Sequence, residues 1–288
     1  MRHSGLVSGV LIIGALSGFL VPISGWSQES STSAVSGQSS ASQSTVAPEI
    51  LNNLYLNYFT TYHGAPLNDV GSARAADRNG VISKTGLVNL DSEATAAYMI
   101  TPAIGAGFVV PFLMVPVKGE DWILGDVGIK VFQSNTISNH GFVLATNLIL
   151  QAPTSQASQA RNMTYAIKTT PAVRYTFPNS RFSVGAWTEA KDYAGVTVDK
   201  AYKLYAEPYV SYKLMPKLSL SLSYEMEWHH DVHNAPMTFS TYQTDIQPGF
   251  IWNITQNIML NPYFQVFTTN HGGYDSTALG AVLNARVL

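Results

Sequence analysis

From Leu54 to the end of the chain, apolar and polar residues alternate with a period of two almost everywhere. Lys217 to Trp228 shows the pattern without a break. Leu218, Leu220, Leu222, Tyr224, Met226 and Trp228 form one set; Lys217, Ser219, Ser221, Ser223, Glu225 and Glu227 form the other. Successive side chains of a β-strand point to opposite faces, so this period predicts strands. The chain divides into about twelve of them, each of roughly 9–14 residues. They fall near 52–62, 86–100, 104–116, 123–132, 141–151, 163–176, 181–191, 201–214, 217–228, 237–253, 257–268 and 275–287.

The connections sort into two kinds. Residues 101–105, 177–181, 214–218 and 254–258 are tight turns holding Pro, Asn or Gln. The gaps near 63–85, 117–122, 152–162, 192–200, 229–236 and 269–274 are mostly longer and more polar. Short and long alternate along the chain, as they do in a membrane barrel with short periplasmic turns and longer outside loops. The stretch 133–140 is longer than this rule predicts for a turn.

A soluble sandwich offers the same alternation, with its apolar faces packed together. Three features favour a barrel in lipid. Tyr and Trp recur at strand ends. The polar faces carry bulky rings beside charges, as a narrow lumen does. A closed barrel satisfies every backbone group in hydrocarbon. The segments 171–184, 208–221 and 248–261 share a layout of Pro, an aromatic four residues on, a turn and a new strand. Their Tyr175, Tyr212 and Trp252, with Tyr98, predict an aromatic belt at the short-turn end, and Trp228 and Tyr242 one at the other. Proline donates nothing to a strand ladder, so local bulges are expected at Pro171, Pro208 and Pro248.

Composition supports export. Only 12% of residues are charged, about half the usual 25% of a soluble domain. Residues 1–27 carry Arg2 and His3, then an uncharged run with Gly25 and Ser27 before Gln28, the layout of a cleaved signal peptide. Residues 28–50 are Ser/Gln-rich and read as a flexible leader. The barrel is assigned to 51–288. The chain has no cysteine, which excludes disulfides and thiolate chemistry, and its net charge of −2 shows no nucleic-acid footprint.

With these features the chain resembles the bacterial outer-membrane β-barrel proteins of the small-porin type, over residues from about 50 to 288. Barrels of that class commonly end on an aromatic residue; this sequence ends on Val287 and Leu288. The resemblance implies an all-β, closed antiparallel transmembrane barrel in the outer membrane of a Gram-negative cell. Outer-membrane lipid, the outer-membrane assembly machinery and small solutes or ions would be its partners. A barrel of about twelve strands encloses a modest interior. The expected function is a narrow channel for passive diffusion. The alternatives are a closed structural or receptor barrel and an outer-membrane hydrolase.

The inward set supplies the candidate pore-lining residues. The acids are Asp91, Glu93, Asp126, Glu189, Glu207, Glu225, Glu227 and Asp245; the bases are Lys130, Lys168, Arg174, Lys191, Lys203, Lys213 and Arg286. The signs nearly balance, so no one-sided selectivity ring is expected, and a cross-strand ion-pair network is the competing reading. In an extended strand, His229, Asp231 and His233 share a face, a spacing that can ligate a divalent metal. Clustered polar residues are also common in outer loops. The mature chain has no His-x-Ser pair and no glycine-rich phosphate loop, so neither an enzyme nor a cofactor is expected.

Overall fold

The computed structural model describes residues 53–73, 75, 87–116, 121–196, 200–231, 238–268 and 277–287. The signal peptide expected at 1–27, the leader expected at 28–50, and His233 lie outside them. The strands are β1 (Leu54–Pro66), β2 (Asn89–Met99), β3 (Ile104–Val115), β4 (Asp121–Leu124), β5 (Gly128–Asn139), β6 (Phe142–Gln151) and β7 (Tyr165–Thr169). They continue with β8 (Ala172–Thr176), β9 (Phe182–Ala194), β10 (Lys200–Met215), β11 (Leu218–Asp231), β12 (Ser240–Asn253), β13 (Ile258–Phe267) and β14 (Thr277–Arg286). One short helix, α1 (Gln156–Ala160), lies between β6 and β7.

Every neighbouring pair is antiparallel and follows chain order. β4 and β5 both pair β3 and make one wall strand; β7 and β8 both bridge β6 and β9 and make another. The wall therefore has twelve strands. β14 pairs back onto β1, with Arg286 opposite Asn57 and Gly280 opposite His63, and the sheet is closed. Closure leaves no strand edge unpaired, which is what hydrocarbon demands.

Burial settles which solvent each face meets. The leucines of β11 point outward: Leu220 and Leu222 are exposed, while Ser223 and Glu227 are buried. Phe108 is 64% exposed, Leu150 51% and Phe264 48%, yet Asp245 and Gln243 are 0% exposed. A water-soluble protein places these residues the other way round. So large a continuous apolar exterior is stable only against lipid.

The ends of the strands hold the departures from a simple dyad. β5 and β6 run through 133–139, expected as a turn, and close on His140 (φ 47°) and Gly141 (φ 85°). Two consecutive left-handed residues make the primed turn that matches strand twist. The bulges expected at Pro171, Pro208 and Pro248 are absent: the registers of β7–β8 on β9, β10 on β9 and β12 on β11 pass them unshifted. Each proline removes one donor, so it costs a rung and not a register. The shifts fall instead at His63/Pro66, at Gln133/Ile137, at Lys200/Tyr202, at Lys213/Met215, at Glu227/Trp228, and at residues 125–127 between β4 and β5.

Candidate functional site

The barrel interior is the site, and strand parity decides what enters it. The ladder places Glu93, Lys130, Lys168, Glu189, Lys203 and Glu227 on the inward set, and their side chains join into one chain of opposite charges. Lys130 Nζ is 2.7 Å from Glu93 Oε1. Lys168 Nζ lies 3.7 Å from Glu93 and 3.8 Å from Glu189. Lys203 Nζ lies 3.4 Å from Glu189 and 3.2 Å from Glu227. Glu227 meets His229 Nε2 at 2.5 Å, and His229 meets Lys200 Nζ at 3.3 Å. Charges alternate from Lys130 to Glu227, and Lys168 and Lys203 in the middle each touch two carboxylates. A shared lysine satisfies two buried acids while ordering one side chain.

Small residues make that geometry reachable. Gly107 of β3 lies between Ala97 and Lys130 in the ladder. A Cβ there would collide with the Ala96 carbonyl and Ala97 Cα. Its absence leaves the inner wall low enough for Lys130 to reach over β3 to Glu93. Nearer the short turns, Gly105 plays the same part beneath Phe132, whose ring centroid lies 5.0 Å from that of Tyr55. Tyr55, Ala97, Phe132 and Ala145 form a small apolar cluster on the inner wall.

The remaining predicted lining residues divide among several surroundings. Glu207 accepts a hydrogen bond from Tyr205 at 2.7 Å. Asp91 sits opposite Thr61 and Leu113, and Arg174 opposite Val143 and Gly185. Lys191 lies 4.6 Å above the Tyr193 ring and Arg286 5.3 Å above that of Tyr55. Lys213 is exposed near the Pro216–Lys217 turn, opposite Ser219. Glu225 and Asp245 face each other across β11 and β12.

Asp126 does not line the wall as the other acids do. It sits in the 125–127 interruption and holds the loop that carries α1. Its Oδ1 accepts from Ser155 N–H at 3.0 Å, and its Oδ2 accepts from the Ser158 hydroxyl. Ser155 caps α1 by accepting from Ser158 N–H at 3.1 Å. Thr154 adds bonds to Val127 N–H and Gly125 C=O. The loop then bends over the inner wall: Met163 packs with Ala166, Tyr193 and Val196, and Arg161 lies 5.0 Å above the Tyr193 ring. The sequence showed only a polar gap at 152–162; the partners that fold it inward are remote.

Of the six aromatics expected in belts, Tyr242 alone leaves the outward face. Tyr98 and Trp252 are exposed on the outward face at the short-turn end. Tyr175 packs edge-on to Phe177 at 5.0 Å, and Tyr212 packs on Phe182 at 4.8 Å. Trp228 stays outward at the opposite end, opposite Leu204 and Thr241. Tyr242 does not. The Glu227/Trp228 shift makes it the extra residue of β12, and its ring stacks on the inward His229 at 4.2 Å. The long-loop belt instead gains a Tyr58–Phe112–Trp122 stack with centroid spacings of 6.3 and 5.3 Å. Trp122 was hidden in an expected loop that proves to be β4.

Of the candidate metal set His229, Asp231 and His233, the last lies outside the described residues. His229 is held by Glu227, Lys200 and Tyr242, and Asp231 is exposed at the end of β11. Among the described residues no group of three His, Asp or Glu side chains is placed to hold a metal.

No family model and no curated protein matches this sequence. Solved structures do match its fold. An outer membrane channel from Pseudomonas putida F1 superposes with a TM-score of 0.52 over 81% of this chain and 95% of that one, at 13% identity. In fold, the chain is similar to the barrel of that protein. The NanC porin covers 81% of this chain and all of its own at 9% identity and a TM-score of 0.44. Salmonella typhi OmpF, in complex with daunomycin, covers 81% and 96% at 9% identity and a TM-score of 0.38.

Proposed function

We propose that this chain is an outer-membrane channel, passing small hydrophilic solutes or ions by passive diffusion and carrying out no catalysis. The observation that carries the reading is the inversion of polarity: charges and amides line the inside of a closed twelve-strand wall whose outside is apolar. On this reading the short turns face the periplasm and the longer loops the outside. The apolar band meets outer-membrane lipid, and the assembly machinery inserts it.

The pore would be narrow. The Glu93–Lys168 bridge and the Tyr55–Phe132 contact both reach over the inner wall from non-adjacent strands. Those same contacts favour the second reading, a closed structural barrel. Single-channel recording in planar bilayers decides. Folded protein, recognised by heat-modifiable migration, should give small, uniform conductance steps. Folded, inserted protein without any step overturns the channel.

A further inference from the structure

Lys191 of β9 has a lysine on either side of it in the ladder. Lys168 of β7 is its partner on one strand and Lys203 of β10 its partner on the other. Like charges directly opposite each other destabilise a sheet, and this row sets three of them side by side on the inner wall. Carboxylates relieve the row unequally. Lys203 has Glu189 at 3.4 Å and Glu227 at 3.2 Å. Lys168 has Glu93 and Glu189 only at 3.7 and 3.8 Å, because each acid has a nearer lysine: Lys130 lies 2.7 Å from Glu93, and Lys203 is the closer to Glu189. Lys191 forms no ion pair with any described carboxylate; its contact is the Tyr193 ring at 4.6 Å.

The donors of two neighbouring lysines are therefore unspent. An ammonium carries three N–H donors and no acceptor. Lys130 donates to Glu93 and to Thr95. The two ion pairs of Lys168 are longer than hydrogen bonds. Among the described residues neither Lys168 nor Lys191 donates a side-chain hydrogen bond, although the Lys168 side chain is only 16% exposed and Lys191 is half-buried. Donors buried to this extent are normally satisfied. The Tyr193 ring offers Lys191 a negative face but no lone pair. Arg161, 5.0 Å above the same ring, adds positive potential from the loop side.

We propose that Lys168 and Lys191 bind the carboxylate group of a small anionic solute in the narrow part of the lumen. Cross-strand neighbours stand about 4.5–5.5 Å apart at Cβ. A carboxylate that accepts one charge-assisted bond of about 2.7–2.9 Å on each oxygen spans two ammonium groups at that spacing. Its arrival relieves the repulsion within the row and gives both lysines the acceptor they lack. The charge fits as well. The run from Lys130 to Glu227 sets three bases against three acids, and Lys191 adds one positive charge to it. One carboxylate neutralises that surplus; a dianion overshoots it and is repelled by Glu93 and Glu189. The site rests on the proposed function only in that a solute must reach the lumen.

The test is saturation-transfer NMR of sodium acetate and of methylammonium chloride with the detergent-folded full chain, with conductance recorded separately in planar bilayers. Acetate should bind, and methylammonium, of similar size and opposite charge, should not. Lys191→Met should weaken acetate binding by about tenfold or more, the loss of a hydrogen bond from a charged donor. Lys168→Met, read in the same way, stands in if Lys191→Met does not fold. No transfer to acetate from the folded wild type, equal transfer to both probes, or an acetate affinity unchanged in the folded variant overturns the site. A barrel that binds acetate and passes no current keeps the site and rejects the channel; one that conducts and ignores acetate does the reverse.

Discussion

Lys168 Nζ lies 3.7 Å from Glu93 Oε2 although three wall strands separate β7 from β2. Neighbouring side chains of a sheet meet along the ladder; this pair meets over it. Lys168 is therefore part of whatever limits the lumen. Glu93 keeps Lys130 and Glu189 keeps Lys203 when it is removed. Lys168→Ala should fold normally and raise single-channel conductance, up to roughly twofold for a pore limited by its narrowest ring. Recording variant and wild type in the same salt tests this; equal conductance would place the constriction elsewhere.

The loop bearing α1 is held to the wall by Asp126. Asp126→Ala removes the acceptor for both Ser155 N–H and the Ser158 hydroxyl. Loss of such a capping arrangement costs about 1 kcal/mol. The loop should open more often and expose Arg161 to trypsin. Mass spectrometry of folded protein under limited digestion should find cleavage after Arg161 several-fold faster than in wild type. Unchanged cleavage would mean that Met163 and its neighbours hold the loop without Asp126.

Lipid-facing and inward positions on β11 should respond in opposite ways to one substitution. Leu222 is exposed on the apolar exterior; Ser221, one residue earlier, is inward. Leu222→Arg should destabilise the barrel by about 2–4 kcal/mol if it lies near the bilayer midplane, and Ser221→Arg much less. Equilibrium unfolding from lipid vesicles in guanidinium measures both. Equal costs would refute the assignment of faces.

Gly107 is required by packing. The Cβ of Gly107→Ala would meet the Ala96 carbonyl and Ala97 Cα, which are backbone atoms of the paired strand. Overpacking of this kind costs about 1–3 kcal/mol. The variant should unfold at lower denaturant, and its Lys130–Glu93 bridge should be lost. Wild-type stability would show that β2 and β3 can part at no cost.

Regular alternation made the strands legible: in β11 both faces were assigned residue by residue from Leu218 to Trp228. Parity carries such an assignment only until a strand gains a residue. Tyr242 is where it failed, because the shift beside it turns the ring inward, and nothing local in "STYQTD" marks that shift. Residues 133–139 were misread for another reason. Their polar sequence looks like a turn, but β5 and β6 continue until His140 and Gly141 supply left-handed geometry. The prolines misled in the opposite direction, since a lost donor removes a rung without inserting a residue. Glu93, Lys130, Lys168, Glu189, Lys203 and Glu227 were marked as inward by the alternation, but Lys200, which meets His229 at the end of the run, was not. Which lysine serves which glutamate depends on strands brought round by closure and on the low wall at Gly107, and neither is written in any one segment.

The β1–β14 seam joins segments more than two hundred residues apart in sequence, Asn57 beside Arg286. The molecule is thus a hoop fastened by its two outermost strands, and damage at either end travels all the way round. Deleting β14 would strip the hydrogen-bonding partners from β1 and β13 together, opening two raw margins in a medium that contains no water to soothe them, at several kcal/mol for each stranded polar group. A nascent chain lacking its last strand would have no half-stable resting form in the bilayer, so insertion and fastening must be nearly one event.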